Sequence, residues 1–332
     1  MTKTKDIDYL FLSARVKAME RNLLNRERLE RMLDARTNED AAKVLTECGY
    51  AEMPLVNQET LDQTLVDHQE QFLADLTLSA PDKRLIEVFK VRYDYHNVKV
   101  LLKSEAMGSE PDRLLNSGGR VSVAELAEGV RSGDMRGMPA ILQTAVAQAR
   151  DVLGATGDPQ LADFVLDRAY FSDMFDLAKR VDSPFLEGYV RIAIDAANLR
   201  SVVRTMRMEK GPDFLRSVLF DRGNITTDRI LNALSAGGSL EELYATSVLK
   251  NAAEAGVAAL SGGPLTRFEK LCDNAVSSYL AGAKYVAFGE APLIGYLAAK
   301  ETELTAIRIV MMGRMAGLDT DTIRERLRES YV

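Results

Sequence analysis

A chain of 332 residues, 46% hydrophobic and 27% charged, has globular composition and is too long for one ordinary core, so two or three domains are expected. Its 42 basic residues against 49 acidic ones give a net charge of −7, which argues against a general nucleic-acid binder. No stretch approaches the roughly 20 apolar residues of a spanning helix, the start Met1–Asp6 carries no signal-peptide core, and strand-like alternation is missing almost everywhere, so an all-α fold without a transmembrane segment is expected.

From Asp8 onward Leu12, Val16, Met19 and Leu23 keep helical spacing, while Arg15, Lys17 and Arg21 lie off that stripe. This predicts an amphipathic helix whose basic face is either solvated or set against an acidic partner. Asn25 is placed to cap a short second helix, and Thr37 with Asp40 resembles a capping box ahead of Ala41–Leu45, closed by Gly49. Residues 51–60, with Pro54, read as a linker; helical pattern then covers 61–78 and 83–107 and stops at Gly108.

The second of these runs begins a repeat. Asp94-Tyr-His-Asn97-Val98-Lys99, continuing to Leu101 and Lys103, is matched by Asp195-Ala-Ala-Asn198-Leu199-Arg200, continuing to Val202 and Arg204. A weaker third copy is Glu303-Leu-Thr-Ala306-Ile307-Arg308, continuing to Val310, and the three runs stop at Gly108, Gly211 and Gly317. The flanks agree as well: Glu110-Pro111-Asp112 and Gly119-Arg120-Val121 mirror Gly211-Pro212-Asp213 and Gly223-Asn224-Ile225, while Gly188-Tyr189 mirrors Gly295-Tyr296. Three diverged helical copies of about 100 residues each, near the usual domain size, account for this. Their expected bounds are 1–130, 131–237 and 238–332.

In each copy the acid shares a helix face with apolar residues four and seven positions on: Asp94 with Val98 and Leu101, Asp195 with Leu199 and Val202, Glu303 with Ile307 and Val310. Asn97 and Asn198 are placed to hydrogen-bond such an acid or a neighbouring backbone, giving a specific join where apolar packing alone would slip. The same polar residues can instead line a central opening. Along the flank of the second copy Arg200, Arg204, Arg207 and Lys210 form a basic series, either solvated or gripping an acidic partner.

The last long helix is framed by Pro292, suited to a first turn, and Gly317, suited to a left-handed end. Its stripe of Leu293, Leu297, Leu304, Met311 and Met315 also contains Glu301 and Arg308, which either reach the rim of a seam or form a polar inner wall. Catalytic chemistry has no foothold in these patterns. His68 and His96 lack metal-ligand spacing, and Cys48 and Cys272 match no metal or redox pattern and read as reduced thiols of a cytosolic protein. Gly118-Gly119, Gly237-Gly238 and Gly262-Gly263 fit no nucleotide fingerprint and read as turns. No catalytic, cofactor-binding or metal-binding residue is expected.

Phe288-Gly289, Pro292, Tyr296-Leu297, Lys300-Glu301, Glu303, Ile307-Arg308 and the ending Arg328-Glu-Ser-Tyr331-Val332, together with the two Asp-x-x-Asn helices, resemble the C subunit of the archaeal and bacterial A/V-type ATPases, equivalent to the d subunit of the eukaryotic V-ATPase. Two departures stand out: Ala291 separates Glu290 from Pro292, and Ala306 replaces the asparagine of the other copies. The resemblance implies a funnel of three similar helical domains and a non-catalytic coupling subunit, peripheral on the cytoplasmic face of the membrane. Its partners would be the rotor-shaft subunits and the membrane rotor ring. The alternative class is a helical enzyme or small-ligand-binding module built on the polar seam residues.

Overall fold

The structure, a computed structural model, describes residues 4–109, 115–329 and 331. Every regular element among them is helical. In chain order the first helices are α1 (Leu10–Met19), α2 (Arg26–Asp34), α3 (Asn38–Glu47) and α4 (Gln58–Ser79). They are followed by α5 (Arg84–Met107), α6 (Val123–Ser132), α7 (Ala140–Thr156), α8 (Pro159–Val181), α9 (Pro184–Arg207), α10 (Pro212–Val218) and α11 (Thr227–Ser235). The last are α12 (Leu240–Tyr244), α13 (Lys250–Leu260), α14 (Leu265–Ala281), α15 (Glu290–Met315) and α16 (Thr320–Arg326).

These helices form two compact units. The first joins Met1–Asp82 with Ser239–Val332, and the second is Lys83–Gly238. The Glu110-Pro111-Asp112 match lies outside the described residues, as do Ser330 and Val332 of the C-terminal motif.

The first unit is built around α15, which is 26 residues long and so spans roughly 39 Å at 1.5 Å per residue. Leu293, Ile294, Leu297, Ile307, Val310 and Met311 are all essentially inaccessible, because α1, α3, α14 and α16 cover the helix from several sides. It starts two residues before Pro292, still within the first turn, where backbone N–H groups have no intrahelical partner and a proline costs nothing. Gly289 makes the start possible: its φ of +114° is open to glycine alone, and its backbone exchanges hydrogen bonds with Ser13 Oγ, which donates to the Gly289 carbonyl at 3.0 Å and accepts from its N–H at 3.2 Å. Gly317, at φ +70°, lies just beyond the other end. Arg308 is exposed and pairs with Asp62 at 3.2 Å, at the rim of the α15 seam.

The N-terminal helices follow their local signals. Leu12 and Val16 of α1 are buried and Arg15 turns to Asp75 on α4. Asn25 caps α2 by accepting from Arg28 N–H, and Thr37 caps α3 by accepting from Asp40 N–H. The aspartate side chain does not complete a box there; it accepts from Lys43 Nζ. The linker is shorter than expected, because Asn57 and Thr60 form a reciprocal capping box that starts α4 at Gln58.

In the second unit α8 is the shared wall, packing against α5, α7 and α9. Lys99 and Lys103, the basic positions of the first Asp-x-x-Asn pattern, pair with Asp167 and Asp163 on α8 at 2.5 and 2.6 Å. These cations therefore tie two helices of one unit together. Cys48 and Cys272 are buried thiols, and burial pushes the Cys48 group up to about 11, which makes it a poor nucleophile.

Candidate functional site

The acids singled out by the repeat are all buried, and each holds the backbone of a distant segment. Asp94 Oδ1 accepts from the N–H groups of Arg120 and Val121 at 2.8 and 3.2 Å. Asp195 does the same one copy later: Oδ2 accepts from Asn224 N–H at 3.1 Å and Oδ1 from Ile225 N–H at 3.1 Å. Three residues along each helix the asparagine clamps the same loop. Asn97 exchanges two hydrogen bonds with the backbone of Asn116, and Asn198 two with the backbone of Phe220, at 2.7 to 2.8 Å. Both loops then enter an N-capped helix, Ser122 capping α6 and Thr226 capping α11.

A glycine lets the loop come this close. A Cβ on Gly119 would lie 2.4 Å from Asp94 Oδ1, and one on Gly223 would lie 2.3 Å from Asp195 Oδ1. Burial raises the carboxyl groups of Asp94 and Asp195 above the usual range, while the converging N–H donors, and for Asp94 the Arg120 guanidinium, pull the other way. Asn224 stands in the second copy where Arg120 stands in the first: Arg120 Nε donates to Asp94 Oδ2 at 2.6 Å and its Nη2 to Asp173 Oδ2 on α8 at 2.7 Å, and Asn224 Nδ2 donates to Asp195 Oδ2 at 2.8 Å. Arg120 and Asp173 line a cleft of about 1060 Å³ together with Glu87, Glu125, Arg136 and Arg180.

Glu303 on α15 holds a different set. Oε2 accepts from Leu24 N–H at 2.6 Å, and Oε1 accepts from Tyr50 O–H at 2.6 Å and Lys300 Nζ at 2.5 Å. Both charged side chains are almost fully buried, at 4% exposure for Lys300 and 3% for Glu303. The ammonium also lies over the Tyr50 and Phe72 rings, 5.0 and 5.7 Å from their centroids. His68 stacks on Tyr50 at 3.9 Å, and its Nε2 has no hydrogen-bond partner among the described residues. Burial, then the nearby Lys300 charge, pushes its imidazole down to about 3, so it is neutral at physiological pH. The carboxylate also pushes the Tyr50 hydroxyl further above its ordinary range, though burial is the larger cause.

The chemistry of this arrangement is retention. Each carboxylate accepts at least three hydrogen bonds, from backbone N–H groups together with the Arg120 guanidinium at Asp94, the Asn224 amide at Asp195, and the Tyr50 hydroxyl and Lys300 ammonium at Glu303. Among the described residues no three His, Cys, Asp or Glu side chains are grouped to hold a metal ion, and no helix is long and apolar enough to cross a membrane. Of the basic series, Arg200 is half-buried on α9, Arg204 and Arg207 are exposed in its last turn, and Lys210 is exposed three residues past its end.

The family described as ATP synthase (C/AC39) subunit matches residues 12–326, nearly the whole chain. The chain belongs to this family. Among similar members, the C/AC39 chain is 22% identical to the C subunit of the V-type sodium ATPase of Enterococcus hirae, over 98% of this chain and 99% of that one. It is 25% identical to the C subunit of the V-type ATP synthase of Thermus thermophilus, over 96% and 98% of the two chains. To the C subunit of the A-type ATP synthase of Methanocaldococcus jannaschii it is 24% identical, over 96% and 86%. Sequence reasoning about this C/AC39 protein reached the acids and asparagines and quoted Arg120, Lys300 and His68 without their roles, while Tyr50 was missed, because it sits outside the repeated pattern.

Proposed function

We propose that this C/AC39 family member is a non-catalytic coupling element of the central stalk of a rotary A/V-type ATPase, on the cytoplasmic face of the membrane. It joins the soluble rotor shaft to the membrane rotor ring, so that ATP hydrolysis or synthesis is coupled to proton or sodium transport. The family match across residues 12–326, with relatives named as C subunits covered almost end to end, carries this reading. The geometry supports it, since a torque-bearing adaptor needs seams that resist sliding and directional hydrogen bonds to backbone resist it better than apolar contact alone.

The reading includes three similar helical domains arranged as a funnel, with a wide mouth for one partner and a narrow base for the other. Arg200, Arg204, Arg207 and Lys210 supply a basic flank toward an acidic partner face, a contact that weakens as salt rises. Reconstituted vesicles test the role. Omitting this protein should leave ATP hydrolysis by the soluble head and abolish ATP-driven ion uptake; uptake at the normal rate without it would exclude coupling.

A further inference from the structure

In the second unit each acid grips the residue just before a helix cap, and the resulting pattern can be followed position by position. Asp94 holds Val121, Ser122 caps α6 by accepting from Glu125 N–H, and Leu126 is fully buried four residues past the cap. Asp195 holds Ile225, Thr226 caps α11 by accepting from Arg229 N–H, and Ile230 is fully buried. Apolar residues just before the cap and four past it are the hydrophobic-staple spacing, which fixes how the chain enters the helix.

The third acid meets the same pattern in a remote part of the sequence. Glu303 holds the N–H of Leu24, Asn25 caps α2 by accepting from Arg28 N–H, and Leu29 is buried four residues past the cap. The three short helices also agree in length, with 10, 9 and 9 residues for α6, α11 and α2. One difference explains itself. Gly119 and Gly223 stand two residues before the gripped N–H, where a Cβ would strike the aspartate; Asn22 stands there in the third case, and the acid is the longer glutamate, which reaches the backbone without so close an approach.

We infer that the third copy is permuted: residues 22–34 stand to Glu303 as 119–132 stand to Asp94 and 223–235 to Asp195, so the N-terminal segment is a strap that closes the C-terminal helix. This rests on the three-copy reading given above and redraws its boundaries, assigning the first 34 residues to the copy that contains α15. Lys300 and Tyr50 replace the second backbone N–H and the asparagine of the other copies, Ala306 having no side chain to clamp with. Tyr331 reinforces the closure, because its hydroxyl donates to Glu20 Oε1 at 3.2 Å, so the C-terminal segment also holds the chain two residues ahead of the strap. The strap opens as a unit of its own, without unfolding α6 or α11.

Amide hydrogen exchange on the full-length protein tests this, comparing wild type with Asp94→Asn, Asp195→Asn and Glu303→Gln. Losing a charge-assisted hydrogen bond should speed exchange about tenfold or more in the helix that the acid holds. Glu303→Gln should act on residues 24–34 and leave 122–132 and 226–235 unchanged, while each aspartate variant acts on its own helix alone. Should Glu303→Gln fail to fold, Tyr50→Phe removes only the hydroxyl contact and should speed exchange several-fold over the same residues. Unchanged exchange at 24–34, with the two aspartate variants behaving as stated, would overturn the strap and leave the other two copies standing. No change in either aspartate variant would instead overturn the three-copy reading.

Discussion

In the second unit Asp195 reaches backbone N–H groups 29 and 30 residues ahead of it; in the first unit Glu303 reaches an N–H 279 residues behind it. Loop-closure entropy grows as (3/2)RT ln n, so the longer closure costs about 2 kcal/mol more, a cost shared by all the contacts that join the two segments of the first unit. The local chemistry differs in the matching sense. Asp195 relies on backbone and one amide, whereas Glu303 adds a phenol and a buried ammonium to a shorter backbone hydrogen bond. A buried cation is not confined to the long closure, however: Asp94, whose backbone partners lie only 26 and 27 residues ahead, is paired with the buried Arg120 guanidinium as Glu303 is with Lys300.

That contrast can be broken most sharply at the ion pair. Glu303→Ala leaves the Lys300 ammonium buried and uncompensated, and should destabilise the first unit by about 3–5 kcal/mol, read from denaturant midpoints. A loss under about 1 kcal/mol would mean that water reaches Lys300 and that the two units are held alike.

A smaller effect is expected where the donors are neutral. Asn198→Leu strands the N–H and carbonyl of Phe220 and should cost about 1–3 kcal/mol in the second unit. An unchanged midpoint would show that this loop end is satisfied by solvent.

Acid separates the units further. His68 in the first unit titrates at about 3 when folded, so between about pH 6.5 and 3 the unfolded chain binds a proton that the folded one refuses. Its contribution therefore makes stability fall as pH drops through that window, by at most about 1.4 kcal/mol per pH unit. Asp94 and Asp195 in the second unit have raised values and contribute in the opposite sense, favouring the folded state as pH falls through the carboxylate range. His68→Phe should flatten the acid slope of the first unit and leave that of the second unchanged, measured by exchange between pH 6.5 and 5; an unaltered slope in the first unit would place its origin elsewhere.

Much of this architecture was legible in the sequence, and the limits have physical reasons. Helix ends set by Asn25, Gly108 and Gly317 are local chemistry, and the acid-plus-apolar stripe of the long helices survives because its partners sit on the same face. The matched Gly119-Arg-Val and Gly223-Asn-Ile segments were visible too, though not that each glycine clears a carboxylate. The segment before Asn25 escaped because its acid is longer, its glycine is absent and its partner helix is far away in sequence, leaving no periodic trace. The role of Lys300 escaped for another reason: a lysine three residues before a glutamate on a helix reads as a surface pair, and only tertiary packing buries it.

The grouping of both ends of the sequence in one unit sets an order of assembly during translation. At about 5–20 residues per second, roughly 13 to 50 s separate the synthesis of Tyr50 from that of Glu303, while the whole of Lys83–Gly238 emerges in between. The second unit can fold on the ribosome as its residues appear. The helices α2 and α3 can pack on each other early, but the N–H of Leu24 and the hydroxyl of Tyr50 gain their Glu303 partner only once α15 has been made, so this join of the first unit closes late in synthesis.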